Sequence, residues 1–175
     1  MVDSLAGVVV LVVVEQAEDG NMNKIYRSSN PAFFFSKKEK LAIVEAIKEA
    51  EKNCSGEIRV HVAKSVKSDV IKEAIGTFEK IGMTKTKLRN GVLIFFAVKN
   101  RQFAIIGDKG INEKLGEDFW KDTAAEMEKF FKNGNFVEGM TYGIRRIGEI
   151  LKTHFPYQRD DVNELPDEIS ISGKE

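Results

Sequence analysis

The sequence predicts an α/β fold: a three-layer α/β/α sandwich in which about four helices flank a small mixed β-sheet. Three observations lead to this prediction. Polar and apolar residues alternate over residues 57–62, which is typical of a strand. A near-continuous apolar run over residues 92–98 is typical of a central strand that is covered on both faces. Apolar residues at helical spacing precede and follow these strands, so helices are expected to cover both faces of the sheet.

The composition is that of an ordinary globular protein with one domain. Of the 175 residues, 42% are hydrophobic and 31% are charged. The 27 basic residues balance the 27 acidic ones, and this lack of net charge argues against a nucleic-acid partner. The single cysteine, Cys54, can form no internal disulfide, which is consistent with a reducing compartment. We expect a monomer with an unidentified protein partner.

Residues 1–35 are predicted to form an N-terminal extension. The uncharged run Leu5–Val14 is valine-rich and spans about half of the roughly 20 residues that a membrane-spanning helix needs. Acidic residues flank it, whereas an export signal would carry Lys or Arg ahead of it. Because β-branched valines favour extended backbone, we expect an extra strand or an appended segment without fixed structure. Membrane association is not expected, and the predicted localisation is cytoplasmic.

The predicted domain covers residues 36–156 and opens on a helix. Ser36 and Glu39 form a capping box, and apolar residues at helical spacing follow, which predicts a helix over about 37–52. The alternating strand comes next, with Glu57, Arg59 and His61 on one of its faces.

The middle of the domain is predicted to contain a helix, a basic loop and a β-hairpin. Ser68 is the expected cap of a helix over about 69–81. A basic loop over 82–90 leads into the buried strand. A short turn then connects that strand to a second one over 102–106.

Two further helices, over about 117–132 and 136–152, complete the predicted domain. Three glycines lie along the last of them, where each lowers helix stability by about 1 kcal/mol relative to alanine. We therefore expect them to permit close approach to neighbouring elements; they are Gly139, Gly143 and Gly148. The acidic tail, residues 157–175, is expected to be mobile or to lie along the surface.

Several segments of residues 36–156 resemble the TPM domain family, and they occur in the family's order. The segments are Ser55-Gly-Glu-Ile-Arg-Val60, Phe78 to Met83 with Thr84 and Thr86, Asn90-Gly-Val-Leu-Ile94, Gly107-Asp-Lys-Gly-Ile111 with Trp120, Phe131-Lys-Asn-Gly-Asn-Phe136 and His154-Phe-Pro156. The chain is more closely similar to the stand-alone bacterial TPM proteins, whose tails resemble Asp160-Asp-Val-Asn-Glu-Leu-Pro166. The resemblance implies an α/β/α sandwich.

The resemblance also implies several functions, among which a shared fold does not choose. Plant members of the family act in photosystem II repair and have been assigned acid phosphatase activity. An animal branch modulates a neurotransmitter receptor, and stand-alone bacterial members bind calcium. Three hypotheses follow for this chain: a non-catalytic or weakly catalytic Ca²⁺-binding interaction module, a metal-assisted acid phosphatase, or a purely structural partner-binding domain. We favour the first, because the sequence lacks the standard motifs of a nucleotide-binding site or a catalytic nucleophile.

Carboxylates near the predicted strand ends are the candidate Ca²⁺ ligands. Ligand sites of α/β sheets gather at strand ends, and Ca²⁺ takes about six to eight oxygen ligands. The candidates are Asp108, Glu57, Glu117, Asp118 and Asp122. The alternative is that the acidic residues at the start of the helix over 117–132 meet only the helix dipole.

Basic residues near the same strand ends are candidates for binding an anionic substrate. They are Arg59, Arg89 and Lys85. Two alternatives remain open, an ion pair between Arg59 and Glu57 and a basic loop that is merely solvated.

Overall fold

A five-stranded mixed sheet forms the centre of the protein. The computed structural model describes residues 9–13, 27–159 and 161–172. In these ranges the strands are β1 (Val9–Val13), β2 (Glu57–Ala63), β3 (Gly91–Ala97), β4 (Gln102–Gly107) and β5 (Ser170–Ile171). Their order in the sheet is β1-β4-β3-β2-β5. β3 and β4 form the predicted antiparallel hairpin, while β2 runs parallel to β3 on one side and to β5 on the other.

Six α-helices in the described ranges surround the sheet. They are α1 (Pro31–Phe34), α2 (Lys37–Glu51), α3 (Val70–Lys80), α4 (Lys109–Leu115), α5 (Glu117–Lys132) and α6 (Phe136–His154). The four predicted helices are confirmed as α2, α3, α5 and α6. The short α1 and α4 were not predicted, because a segment of four or seven residues is too short to show helical periodicity.

Helix caps fix where the first long helices begin. Ser36 and Glu39 form the predicted capping box of α2, with both reciprocal hydrogen bonds present. The prediction of Ser68 as the cap of α3 is wrong by one residue. Asp69 takes that position, and its carboxylate accepts a hydrogen bond of 2.8 Å from the N–H of Ile71.

Two apolar layers cover the two faces of the sheet, which confirms the predicted sandwich. The larger layer joins one face of the sheet to α2, α5 and α6, and Ile58, Val60 and Val62 face it from β2. The smaller layer joins the opposite face to α3, and Leu93 and Phe95 of β3 belong to it. The Glu57, Arg59 and His61 side chains of β2 therefore point toward the side of the smaller layer.

The glycines of α6 permit close packing, as predicted. A Cβ atom added at Gly148 would lie 2.5 Å from the Cβ of Ala50 in α2. One added at Gly143 would meet the side chain of Met127 in α5. Helix α6 can therefore lie closer to α2 and α5 than a helix of larger residues could.

The valine-rich run contributes a strand. Its residues Val9–Val13 form β1, which pairs antiparallel with β4 at one edge of the sheet. Helix α5 contacts β1, so this described part of the run is covered by a helix. The rest of the run and the predicted linker up to residue 26 lie outside the described residues. None of the helices in the described ranges is long and apolar enough to cross a membrane.

The acidic tail lies along the other edge of the sheet. Its residues 161–172, called the C-terminal segment below, run beside β2 and end in β5. Of the two expectations for the tail, a mobile segment or one lying along the surface, these residues fit the second. The C-terminal segment thereby covers the polar side chains of β2.

Candidate functional site

The structure brings two predicted ligands, Glu57 and Asp108, to the same end of the sheet. Glu57 is the first residue of β2 and pairs with Gly91 of β3. On the other side of β3, the N–H of Asp108 donates a hydrogen bond of 2.9 Å to the carbonyl of Gly91. The two residues are thus separated by one strand, as the strand-end argument predicted. Their carboxylates nevertheless have different partners.

Asp108 is held by Arg89. The Asp108 side chain is fully buried, and both of its oxygens accept hydrogen bonds from the Arg89 guanidinium, at 2.7 and 2.8 Å. One oxygen also accepts from the N–H of Lys109, so Asp108 caps α4. Asp108, a predicted metal ligand, and Arg89, a predicted anion-binding residue, therefore bind each other in a bidentate ion pair. We therefore do not place a metal ion at Asp108.

Among the side chains that the structure describes, Asp118, Asp122 and Lys85 form no hydrogen bond or ion pair with Asp108. Asp118 and Asp122 are exposed on α5, and the side chain of Glu117 lies outside the described part of the chain. Lys85 is exposed in a 3₁₀ turn, Met83–Lys85, that follows α3.

A different group of carboxylates gathers around Glu57. Glu51, the last residue of α2, and Asp167, in the C-terminal segment, line the same cavity as Glu57. Asp167 lies close enough to Glu51 to raise the pKa of the Glu51 carboxyl group. Glu51 also accepts a hydrogen bond of 2.7 Å from the N–H of Ile58. Glu51, Glu57 and Asp167 are called the acidic cluster below.

The carboxyl groups of Glu51 and Glu57 hold protons unusually tightly. Burial raises the pKa of Glu51 to about 9, and the neighbouring Glu57 and Asp167 also raise it. Burial likewise raises the pKa of Glu57 to about 7, and the carboxylates of Glu164 and Asp167 contribute. Glu51 also lies at the C-terminal end of α2, where the helix dipole disfavours negative charge. The site therefore favours a positive charge or a proton.

Arg59 lies near the acidic cluster, and its single positive charge offsets the negative charge of the cluster only in part. Burial lowers the pKa of Arg59, while the carboxylates of Glu57, Glu168 and the rest of the cluster raise it. The predicted ion pair with Glu57 is not formed as a direct contact between these two described residues. Glu57 instead accepts a hydrogen bond of 2.9 Å from the N–H of Glu164.

Lysines line the cavity without neutralising the cluster. Lys48 and Lys52 both belong to its lining. Lys48 pairs with Glu45, and Lys52 pairs with Glu49. Each is drawn to a carboxylate one helical turn earlier on α2.

The cavity itself has room for a hydrated ion. Its volume is about 250 Å³, and its lining includes Ser55, Tyr157 and the buried Cys54. Burial raises the pKa of the Cys54 thiol to about 11, so this thiol is protonated at neutral pH and a poor nucleophile.

Comparison with known proteins identifies the fold. The family model of the TPM domain matches residues 28–150. The chain belongs to the TPM domain family. It is also similar to a solved structure, the NMR structure of the BA42 protein from the psychrophilic bacterium Bizionia argentinensis, at 45% identity and a TM-score of 0.75. That likeness covers 86% of this chain and 99% of the BA42 chain. A search of curated proteins finds no match.

Sequence reasoning on this TPM domain identified Glu57 but missed its two partners. In the sequence, Glu51 looks like an ordinary exposed residue at the end of an amphipathic helix. Its only local signal is that an acidic side chain lies at the C-terminal end of a helix, where the helix dipole disfavours negative charge. Asp167 belongs to a tail whose path over β2 has no local sequence signal. Among the residues that the structure describes, no three Asp, Glu, His or Cys side chains already form a metal-ligand set.

Proposed function

We propose that this TPM domain is a non-catalytic Ca²⁺-binding interaction module whose cation site is the acidic cluster. The observation that carries the proposal is the cavity that Glu51, Glu57 and Asp167 line together, where burial also raises the pKa of both glutamates. A divalent cation would replace the protons that these groups otherwise retain. Stand-alone bacterial members of the family, which the chain resembles, bind calcium.

The donor set fits Ca²⁺. Carboxylate oxygens are hard ligands, and Ca²⁺ accepts irregular geometry with water completing about six to eight positions. Glu51 and Asp167 line the same cavity. The cavity has room for bound water beside the ion.

The phosphatase alternative has weaker support. An anion-binding cleft would need the predicted basic residues to converge, but Arg89 is engaged by Asp108 and Lys85 is exposed on a separate turn. Arg59 is buried beneath the C-terminal segment. The thiol beside the acidic cluster, Cys54, is protonated at neutral pH. We therefore expect no hydrolysis of an aryl phosphate above background.

Calorimetric titration with Ca²⁺ at pH 7 tests this proposal. We expect binding with a dissociation constant of about 10⁻⁵ to 10⁻³ M, the range of sensor and extracellular calcium modules. Glu57→Gln keeps the oxygen that accepts from Glu164 but removes the charge, and it should weaken binding about tenfold or more. Asp118→Asn is the matched control, since it removes one charge at an exposed position of α5.

The same titration can contradict the proposal in two ways. An absence of heat up to millimolar Ca²⁺ would show that the domain does not bind this ion. Equal weakening by Asp118→Asn and Glu57→Gln would show a diffuse attraction to surface charge in place of a defined site.

A further inference from the structure

The carboxyl ends of three parallel strands lie at one end of the sheet, away from Glu57. Strand β2 runs parallel to β3 and to β5, and these strands end at Ala63, Ala97 and Ile171. In open α/β sheets, ligands bind outside the carboxyl ends of the strands. Glu57 is the first residue of β2, so this end of the sheet is separate from the proposed ion site.

Four exposed basic residues lie in the two loops that follow these strand ends. Strand β2 leads into residues 64–69, and β3 leads into the hairpin turn of residues 98–101. The four residues, called the basic end below, are Lys64, Lys67, Lys99 and Arg101. Within the described part of the chain, the charged group of none of them forms an ion pair.

The side chain of Asn100 holds the two loops together. Its Oδ1 accepts a hydrogen bond of 2.9 Å from the N–H of Val66, and its Nδ2 donates one of 3.2 Å to the carbonyl of the same residue. The N–H of Lys99 also donates to the carbonyl of Lys64, at 2.9 Å. Because these bonds fix both loops before a partner arrives, they lower the entropy cost of binding at the basic end.

The backbone of Arg101 indicates that this arginine does not serve the fold. Its φ angle is 53°, in the left-handed region that favours glycine. The residue is exposed, so the fold gains little buried area from its side chain. A residue that is held in an unfavourable backbone conformation without such a gain points to a functional role.

Two carboxylates lie near the basic end, and backbone groups engage both. Asp69 accepts a hydrogen bond of 2.8 Å from the N–H of Ile71, and Glu73 accepts one of 2.7 Å from the N–H of Lys67. Lys72, on the first turn of α3, adds another exposed cation beside them. Positive charge therefore remains in excess at this end of the sheet.

We propose that the basic end is a docking surface for an acidic segment of a partner protein. Carboxylates of such a segment complement the exposed cations. Among the described residues, the large exposed apolar side chains lie outside these two loops, so the loops have no anchor for a lipid surface. The loops also contain no aromatic residue on which a nucleic-acid base could stack. This inference goes beyond the proposed Ca²⁺ site and does not depend on it.

Fluorescence anisotropy with the full chain tests the inference. The probe is a labelled peptide of about ten glutamates, and chelator is present so that no Ca²⁺ contributes. We expect binding at low ionic strength that weakens about tenfold or more when the salt concentration is raised from about 20 to about 200 mM.

Two variants separate a role in binding from a role in stability. Arg101→Gly should weaken peptide binding about two- to fivefold, the usual effect of one exposed charge pair. The variant should be at least as stable in urea as the wild type, because glycine favours the positive φ. Lys99→Gln should weaken binding by a similar factor. Lys152→Gln is the matched control, since it removes one exposed cation from the last turn of α6 and should leave peptide binding unchanged.

Several results would overturn the inference. One is an unchanged anisotropy at low salt up to millimolar protein. Another is equal weakening by Lys152→Gln and Arg101→Gly, which would show a diffuse attraction to the whole surface. Tighter binding to vesicles that contain phosphatidylserine, or to single-stranded DNA, would assign the basic end to a different class of partner. Calorimetry without Ca²⁺ heat would contradict only the proposed function, because the peptide is tested in chelator.

Discussion

The carboxylate of Glu51, at the end of α2, accepts a hydrogen bond of 2.7 Å from the backbone N–H of Ile58 in β2. Strand β5 pairs with β2 only at His61 and Val62, so it does not reach Ile58. The contact with Glu51 gives the N–H of Ile58 a hydrogen-bond acceptor instead. It also holds a carboxyl group beside Glu57 at the negative end of a helix. Glu51 thus closes the edge of the sheet, and the same position of its carboxyl group makes a nearby positive charge favourable.

Without a bound cation, the stability of the domain should fall as the pH rises from 7 to 9. The pKa of Glu51 is about 9 and that of Glu57 about 7 in the folded state, against 4.5 for an unperturbed carboxyl. The folded protein thus retains protons that the unfolded chain has released, so raising the pH through these values favours unfolding. We expect a loss of about 2 kcal/mol in unfolding free energy, measured by urea denaturation with chelator present.

Glu51→Gln should reduce that pH dependence. The amide oxygen can still accept from the N–H of Ile58, but the side chain no longer titrates. Its unfolding free energy should change by less than half as much between pH 7 and 9. A variant that loses stability as steeply as the wild type would show that other groups cause the effect.

Asp108→Ala should destabilise the domain by about 2–4 kcal/mol, because it removes both the cap of α4 and the bidentate ion pair that the buried Asp108 forms with Arg89. Asp69→Ala is the matched control, since it removes the cap of α3 at an exposed position and should cost about 1 kcal/mol. Thermal and urea denaturation measure both changes. Equal losses in the two variants would mean that the pair with Arg89 contributes nothing. Ca²⁺ affinity should be the same in Asp108→Ala as in the wild type.

Gly148→Ala should destabilise the domain although alanine is the better helix former. The added methyl would lie 2.5 Å from the Cβ of Ala50, so α6 must move away from α2 at a cost of about 1–3 kcal/mol. Gly76→Ala, on α3, meets nothing within 4 Å and should stabilise the domain by about 0.5–1 kcal/mol. Opposite signs in urea denaturation confirm the packing argument. Two stabilising changes would contradict it.

The sequence was sufficient to predict the main elements, because their signals are local. The capping box of Ser36 and Glu39, the alternation over residues 57–62 and the glycines of α6 each lie within one element. The family resemblance and the pattern of helices and strands both imply a sandwich, because both depend on the order of those elements.

The arrangement of the charged groups was harder to predict, because it depends on contacts between distant residues. Asp108 and Arg89 were both singled out, but for separate sites, and only the fold shows that they bind each other. To predict that Asp167 lies near Glu51, one must know the path of the C-terminal segment. The only regular structure in that segment is the two-residue strand β5. No periodicity marks so short a strand.

The most direct test of the central claim is to map the Ca²⁺ site by NMR titration of the backbone amides. We predict that the amides of Ile58 and Glu164 shift first, because their hydrogen-bond acceptors are the carboxylates of Glu51 and Glu57. Shifts centred on Lys109 and on residues 118–122, with Ile58 and Glu164 unmoved, would contradict the acidic cluster. They would place the ion at the ligands around Asp108 that the sequence first suggested.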